Sequence, residues 1–193
     1  MTIPLRCRCG AVRGTLDPGR AYTRATCYCR DCRAFARYLG AADVLDAAGG
    51  TDIVPVAPSA LRITDGIDRV ACMSMSPKGL LRWHASCCRT PLANTPRTPT
   101  PPYVGVVTAC LDATAPALEA ALGPRGRVVI AAPSATAPVK PTPLAYALAV
   151  ARIVAGVMGA RLRRDRVSPF FDAQGQPLRT PHVITREERA ALQ

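Results

Sequence analysis

Three closely spaced cysteines are the first residues in this chain that could do chemistry. Cys27, Cys29 and Cys32 lie within six residues, and a helical pattern begins at the last of them. Residues two apart in a strand share a face, so the first two sulfurs can point to one centre. Cys32, in a first helical turn, would lie in the positive end of the helix dipole, which lowers a thiol pKa. The pattern therefore predicts a metal site.

The number of ligands indicates what kind of metal site this is. Structural zinc sites are closed by four ligands, whereas catalytic sites keep one coordination position open. No fourth cysteine or histidine is close to the three thiols in sequence. We therefore predict an open, catalytic zinc site, with a metal-free redox cluster as one alternative. A second alternative is a closed site that a distant side chain completes, the candidates being His84, Cys72 and Cys110.

Arginines surround the three thiols in sequence. Three thiolates exceed the charge of a divalent metal by one unit, and Arg30, Arg33 and Arg37 would offset that excess. Guanidinium groups also bind carboxylates in a bidentate geometry. We therefore predict that Arg30 and Arg33 attract a ligand that carries carboxylates.

Two further pairs of cysteines suggest a second zinc site. Cys7 and Cys9 precede Gly10, which allows the backbone to turn tightly around a metal. Their expected partners are Cys87 and Cys88. Both are candidate ligands, but adjacent residues seldom both reach one ion without strain, so we expect at least one of these two to be idle.

Composition limits the class of protein. The 193 residues fit one domain with or without an appendage, and nine cysteines are an odd number. Residues 1–10 lack the apolar stretch of a secretory signal, so we expect a reducing, cytoplasmic location. The net charge of +12 comes mostly from arginine, and aromatic residues make up only 5%. Without a basic run interleaved with aromatic residues, no specific nucleic-acid partner is predicted.

Short apolar segments separated by turn residues predict a mainly β domain of antiparallel strands. Residues 91–102 are so rich in proline and threonine that we expect an extended loop there. We place a zinc-binding β domain at residues 1–132, and a proline-rich linker, a helix and a tail at 133–193. The predicted strands are 11–16, 22–29, 52–56, 61–64, 70–75, 80–84, 103–111 and 127–132, and the predicted helices begin at 31, 113, 144 and 186.

The helix at residues 144–162 is apolar enough that it could be considered a membrane-spanning helix. Its apolar run is close to the lower limit for a span, and Arg152 near its middle would cost roughly 3 kcal/mol on insertion scales. We predict a helix that packs on the domain or on a second copy in a homo-oligomer. In the alternative, segment 144–166 lies on a membrane surface, where anionic lipid attracts a basic cluster. That cluster is Arg161, Arg163, Arg164 and Arg166.

Three motifs occur in the order found in a known family. They are Cys-x-Cys-Gly-x-Val at Cys7, Cys-x-Cys-x-x-Cys at Cys27, and Cys-x-Thr-Pro-Leu at Cys88. Over roughly residues 3–95 the sequence resembles the glutathione-dependent formaldehyde-activating enzymes, which include centromere protein V, and within them an uncharacterised bacterial branch with a Cys-Cys-x-Thr-Pro segment.

This resemblance implies a β-tent fold with two zinc sites. Cys7, Cys9 and the late cysteines would hold a structural zinc, and the Cys27 cluster a catalytic one. The implied reaction joins glutathione and formaldehyde to S-(hydroxymethyl)glutathione, formally a carbon–sulfur lyase activity. Two departures from the family pattern concern the structural site: Ala85 stands where a cysteine is usual, and Arg89 where a glycine is usual.

Two functions from different classes follow. The first is a zinc-dependent, carbon–sulfur lyase-like enzyme with a small thiol such as glutathione as co-substrate. The second is a non-catalytic zinc module whose basic surface and C-terminal helix bind a membrane, nucleic acid or a protein.

Overall fold

The computed structural model describes residues 2–165 and 167–192. Most of its regular elements are short strands joined by turns. The strands are β1 (Ile3–Arg6), β2 (Arg13–Leu16), β3 (Ala25–Cys27), β4 (Thr51–Val56), β5 (Leu61–Asp65), β6 (Val70–Ser74), β7 (Leu81–Ala85), β8 (Pro91–Thr95), β9 (Val104–Val107), β10 (Val129–Ile130) and β11 (His182–Val183). The helices are α1 (Arg30–Tyr38), α2 (Ala115–Leu122), α3 (Pro143–Leu162) and α4 (Arg186–Ala191).

The strands of the described residues form two sheets. A small antiparallel sheet has the order β1-β2-β5, and a large one has the order β10-β3-β4-β9-β8-β7-β6-β11. The interior pairs of the large sheet are antiparallel. Its edge strands β10 and β11 pair in parallel with β3 and β6. The sheet is therefore mixed.

The core lies between these sheets and is centred on Trp83. Its side chain is fully buried, and its indole N–H donates a hydrogen bond of 2.9 Å to the Thr95 hydroxyl. The ring stacks on Phe170 of the C-terminal tail, with ring centroids 4.7 Å apart. Strand β11 then pairs with β6, so the tail completes both the core and one edge of the large sheet.

The predicted mainly β fold with a C-terminal helix is confirmed. The expectation that all strands are antiparallel is wrong at the two edges of the large sheet, where the long connections to β10 and β11 return the chain in the parallel direction. The loop predicted for residues 91–102 is also wrong at its start, because β8 is an interior strand. Pro91 is its first residue, a position where a strand tolerates the missing N–H. The division between residues 132 and 133 stays a prediction.

Helix α3 packs on the domain along one side, through Ala149 and Gly156, and its packing on a second copy stays a prediction. It is long and apolar enough to cross a membrane, yet only 11% of its most apolar window is buried. A narrow stripe of small residues, among them Ala149 and Ala160, contacts the domain. Most of its bulky residues are exposed instead, whereas Ile153 and Val157 are partly buried. Of the predicted basic cluster, Arg166 lies outside the described residues.

Candidate metal centres

Two groups of cysteines meet in the described residues, and they are the two that the spacing predicts. The first, the four-sulfur site, joins the turns of two hairpins. Cys7 and Cys9 lie in the turn between β1 and β2, while Cys87 and Cys88 lie in the turn between β7 and β8. Because β1 belongs to the small sheet and β7 to the large one, the site ties the two sheets together.

The spacing of the sulfurs fits a tetrahedral metal. A zinc ion with metal–sulfur bonds of about 2.3 Å has sulfur–sulfur edges of about 3.8 Å. The Cys9–Cys87 and Cys7–Cys9 sulfurs are 3.3 and 3.6 Å apart, and the Cys7–Cys87 and Cys87–Cys88 sulfurs are 3.9 Å apart. All four sulfurs lie within 4.8 Å of one another. The residues present therefore suit a four-thiolate zinc site.

Hydrogen bonds hold the four-sulfur site from outside the cysteines. The backbone N–H of Val12 donates to the Cys7 sulfur at 3.2 Å, a contact that stabilises a thiolate. The Thr90 hydroxyl accepts from the Arg8 N–H at 3.0 Å and lies 3.1 Å from the Cys88 sulfur. Thr90 thus connects the two turns.

Both adjacent cysteines reach the four-sulfur site, although the sequence favoured only one. The backbone after them makes this geometry: Arg89 adopts a left-handed conformation with φ of 57°. This is the position where the resembled family has glycine, which takes that conformation without strain. Arg89 also donates a hydrogen bond to the Tyr38 carbonyl oxygen at the end of α1, and its guanidinium lies 5.6 Å from the Tyr38 ring centroid.

The second group, the three-sulfur site, comes from one continuous segment. Cys27 ends β3, Cys29 is the N-cap of α1, and Cys32 lies in the first turn of that helix. The Cys29 sulfur accepts a hydrogen bond of 3.4 Å from the Cys32 backbone N–H. The three sulfurs lie within 4.8 Å of one another, which leaves room for a metal among them.

The three-sulfur site faces a cavity. The three cysteines line a cleft of about 420 Å³, which is in the size range of small-molecule sites. Arg30 and Arg82 bring positive charge to this cleft, and Asn94 and Tyr103 bring polar groups. Burial raises the pKa of Tyr103 above its usual range, so its hydroxyl stays neutral at physiological pH.

Arg82 is a site residue that sequence reasoning missed. It is buried on β7, and one guanidinium nitrogen donates to the Asn94 side-chain oxygen at 3.0 Å and lies 3.8 Å from the Cys32 sulfur. The guanidinium carbon also lies 5.4 Å from the Phe35 ring centroid. A charged residue inside an otherwise apolar strand, Leu81-Arg82-Trp83, was the available signal, since buried charges require partners.

The electrostatics of the three-sulfur site favour thiolate. Hydrogen bonds from the Cys27 and Cys32 thiols hold the pKa of Cys29 well below its usual range. The same contact with Cys29 raises the pKa of Cys27. The first proton is therefore lost from Cys29, and the buried guanidinium of Arg82 lowers the pKa of Cys29 further.

Two expectations about this site need correction. Arg30 lines the cleft, but the buried Arg33 points away from it and donates to the Ser134 carbonyl oxygen at 2.8 Å. One nitrogen of its guanidinium is thus bound to the protein, and its role in binding a ligand stays a prediction. Within residues 2–165 and 167–192, no fourth His, Cys, Asp or Glu joins the three sulfurs, which argues against a closed site. The distant candidates lie elsewhere: the Cys72 sulfur contacts the Met73 carbonyl, the Cys110 sulfur the Val107 carbonyl, and the His84 ring Phe35.

Comparison with known proteins gives a family without an assigned activity. A family model described as a family of unknown function (DUF6151) matches residues 1–179. No curated protein matches the chain. Among solved structures, it is similar to the crystal structure of a Rhodobacter sphaeroides protein, a structural genomics target, with 20% sequence identity and a TM-score of 0.42. That alignment covers 64% of this chain and 99% of the other.

Proposed function

The chain belongs to the family of unknown function DUF6151, and we propose that it is a zinc-dependent, carbon–sulfur lyase-like enzyme. Its substrate would be a small thiol adduct of the S-(hydroxymethyl)glutathione type. The observation that carries the proposal is the placement of three converging cysteine sulfurs on the wall of a cleft of about 420 Å³. Three protein ligands and access from a cavity are what distinguish catalytic from structural zinc sites.

The resemblance to the glutathione-dependent formaldehyde-activating enzymes supports the same proposal. In this view the two sheets form a β-tent, the four-sulfur site holds a structural zinc and the three-sulfur site holds a catalytic zinc. The sulfur–sulfur distances of 3.3 to 3.9 Å support the first of these zincs. The departures at Ala85 and Arg89 are then accommodated by Cys87 as ligand and by the left-handed backbone of Arg89.

The chain's own residues would bind and orient the thiol substrate. Arg30 lines the cleft and is exposed, so it can attract a carboxylate of glutathione. Arg82 is held by Asn94 beside the Cys32 sulfur, and its charge offsets the excess negative charge of three thiolates and a divalent metal. Zinc at this site would supply the positive charge that lowers the pKa of the substrate thiol.

The reaction moves one proton from the thiol sulfur to the formaldehyde oxygen as the carbon–sulfur bond forms. In the synthetic direction the glutathione thiol loses its proton, its sulfur bonds to the formaldehyde carbon, and the formaldehyde oxygen gains a proton. Tyr103 lines the same cleft with a neutral hydroxyl, so it is placed to donate a hydrogen bond to that oxygen. The lyase direction reverses these steps.

The test compares the wild-type protein with Cys29→Ser. Serine is a good N-cap, so this change removes a sulfur ligand and keeps the helix start. We expect two zinc ions per chain in the wild type and one in the variant, measured by mass spectrometry. Calorimetry should detect glutathione binding only by the wild type, and NMR exchange should show adduct formation above the spontaneous rate only with it.

Cys110→Ala is the matched control, because it removes a buried thiol that lies in neither site. It should keep both zinc ions and full activity. Wild-type protein with two zinc ions that neither binds glutathione nor accelerates the reaction would refute the proposed activity.

A further inference from the structure

Helix α3 presents an unusually large apolar surface to solvent. Leu144 and Leu162, at its two ends, are 74% and 81% exposed, and Leu148 and Met158 between them are about half exposed. Ala147, Ala151 and Ala155 lie on the same side and are exposed as well. Soluble monomers seldom leave an apolar patch of this size uncovered.

A stripe of small residues holds α3 to the domain. Ala149, Gly156 and Ala160 repeat at intervals of seven and four residues, which places them on one side of the helix. Gly156 lies against the Tyr22 ring, so close that a Cβ there would be 2.4 Å from ring atoms. The contact is therefore close and specific, and it fixes which side of α3 faces outward.

The charges on α3 flank the exposed apolar side. Arg152 and Arg161 are nine residues apart, and at about 100° per residue they stand on opposite sides of the helix, flanking the face that contains Leu148 and Met158. Beyond Arg161, Tyr146 and Val150 are also exposed. Arg163 and Arg164 add two exposed positive charges at its C-terminal end. The helix Pro143–Leu162 contains no acidic residue.

We propose that α3 docks the protein on an anionic membrane surface, with the helix in the plane of the interface. Leu144, Leu148, Met158 and Leu162 would enter the acyl boundary, while Arg152 and Arg161 would reach sideways to lipid phosphates. Basic residues at the borders of an apolar helical face are the arrangement that such surfaces bind. The stripe of small residues would keep its contact with the domain.

Two other occupants fit the charges less well. A second copy of the chain packed on this face would bring arginines together without a carboxylate on α3 to pair with them. A spanning helix would bury Arg152 near the bilayer centre and would lose the contacts of Ala149, Gly156 and Ala160 with the domain. The surface orientation keeps the contacts and leaves the charges in water or on phosphate.

Vesicle flotation of the full-length protein tests this proposal. We expect binding to phosphatidylcholine vesicles that contain phosphatidylglycerol, weak binding to phosphatidylcholine alone, and release at high salt. Leu148→Glu with Met158→Glu should weaken binding by more than about 100-fold, because two buried apolar side chains are lost. Arg152→Gln with Arg161→Gln should weaken it by roughly 30-fold.

Matched controls make the same changes elsewhere on the surface. Ile67→Glu places a carboxylate at another exposed apolar residue, and Arg62→Gln with Arg186→Gln removes two exposed charges away from α3. These controls should bind like the wild type, and all variants should keep their zinc content and circular dichroism. Three results would overturn the proposal: no binding to anionic vesicles, equal loss in the controls, or a dimer in sedimentation equilibrium that dissociates with the glutamate pair.

Discussion

The two cysteine sites offer the same kind of ligand, the cysteine sulfur, but lie in different structural settings. The four-sulfur site joins two hairpins whose cysteines are about eighty residues apart, and it connects the small sheet to the large one. The three-sulfur site is built within six residues at the junction of β3 and α1, and it lines a cleft. A metal in the first would hold the fold together, whereas a metal in the second would meet whatever enters the cleft.

This contrast shows that sequence separation, as well as ligand number, indicates the role of a metal site. A cross-link between distant residues removes much conformational freedom from the unfolded chain, whereas one within six residues removes little. A metal in the three-sulfur site would therefore restrict the unfolded chain much less than a metal in the four-sulfur site.

The largest expected effect is on stability, and it comes from Cys7→Ser compared with Cys29→Ser. Cys7 is almost fully buried in the four-sulfur site, and its loss should lower the free energy of unfolding by more than about 3 kcal/mol. Cys29→Ser should cost less than Cys7→Ser, because the N-cap is kept and the site closes a segment of only six residues. Urea unfolding of the zinc-loaded proteins measures both values. Equal losses in the two variants would end the distinction between a structural and a chemical site.

A smaller effect on stability is expected from the titration of His84. This residue lies on β7, which contains Arg82 of the three-sulfur site and precedes Cys87 of the four-sulfur site. Burial and the nearby Arg89 lower the pKa of His84 to about 4. Between about pH 6.5 and pH 4 the unfolded chain therefore binds a proton that the folded protein does not, so stability falls as the pH falls. At about pH 5.5 the loss should be about 1 kcal/mol relative to neutral pH.

His84→Gln should remove this part of the pH dependence. Urea unfolding of the wild type and the variant, near neutral pH and at the lower pH, gives the difference. Zinc content is measured at both pH values, so that loss of metal is not mistaken for titration of the histidine. An identical pH slope in the two proteins would contradict the role assigned to His84.

The smallest expected effect on stability concerns Arg89, which links the four-sulfur site to the end of α1. Arg89→Ala and Arg89→Gly both remove the hydrogen bond to Tyr38, but only glycine relieves the left-handed backbone. We expect Arg89→Gly to be more stable than Arg89→Ala by about 1 kcal/mol in thermal unfolding. If alanine is as stable as glycine, the backbone at this turn is not strained.

Local patterns predicted both groups of cysteines and the coarse fold. The spacing of Cys27, Cys29 and Cys32 determines their convergence, because it depends only on a strand end and one helical turn. The pairing of the Cys7 turn with the Cys87 turn was expected from the resemblance and from the number of cysteines. Short strands with turn residues between them predicted a mainly β domain.

Features that depend on strand register could not be predicted. Arg82 reaches Asn94 because β7 and β8 pair with these two residues opposite each other, and no local pattern specifies that pairing. The composition of residues 91–102 concealed β8, since proline and threonine outweighed Leu92 and Ala93. The exposure of α3 was missed because its mostly apolar composition is typical of a helix that packs on a domain.

The C-terminal tail has a practical consequence for work with this protein. Arg189 of α4 forms an ion pair of 2.7 Å with Asp31, the residue before Cys32, and β11 covers the edge of the sheet at β6. Shortening the chain here, or fusing a purification handle to its last helix, would disturb the neighbours of the thiols as well as the terminus itself.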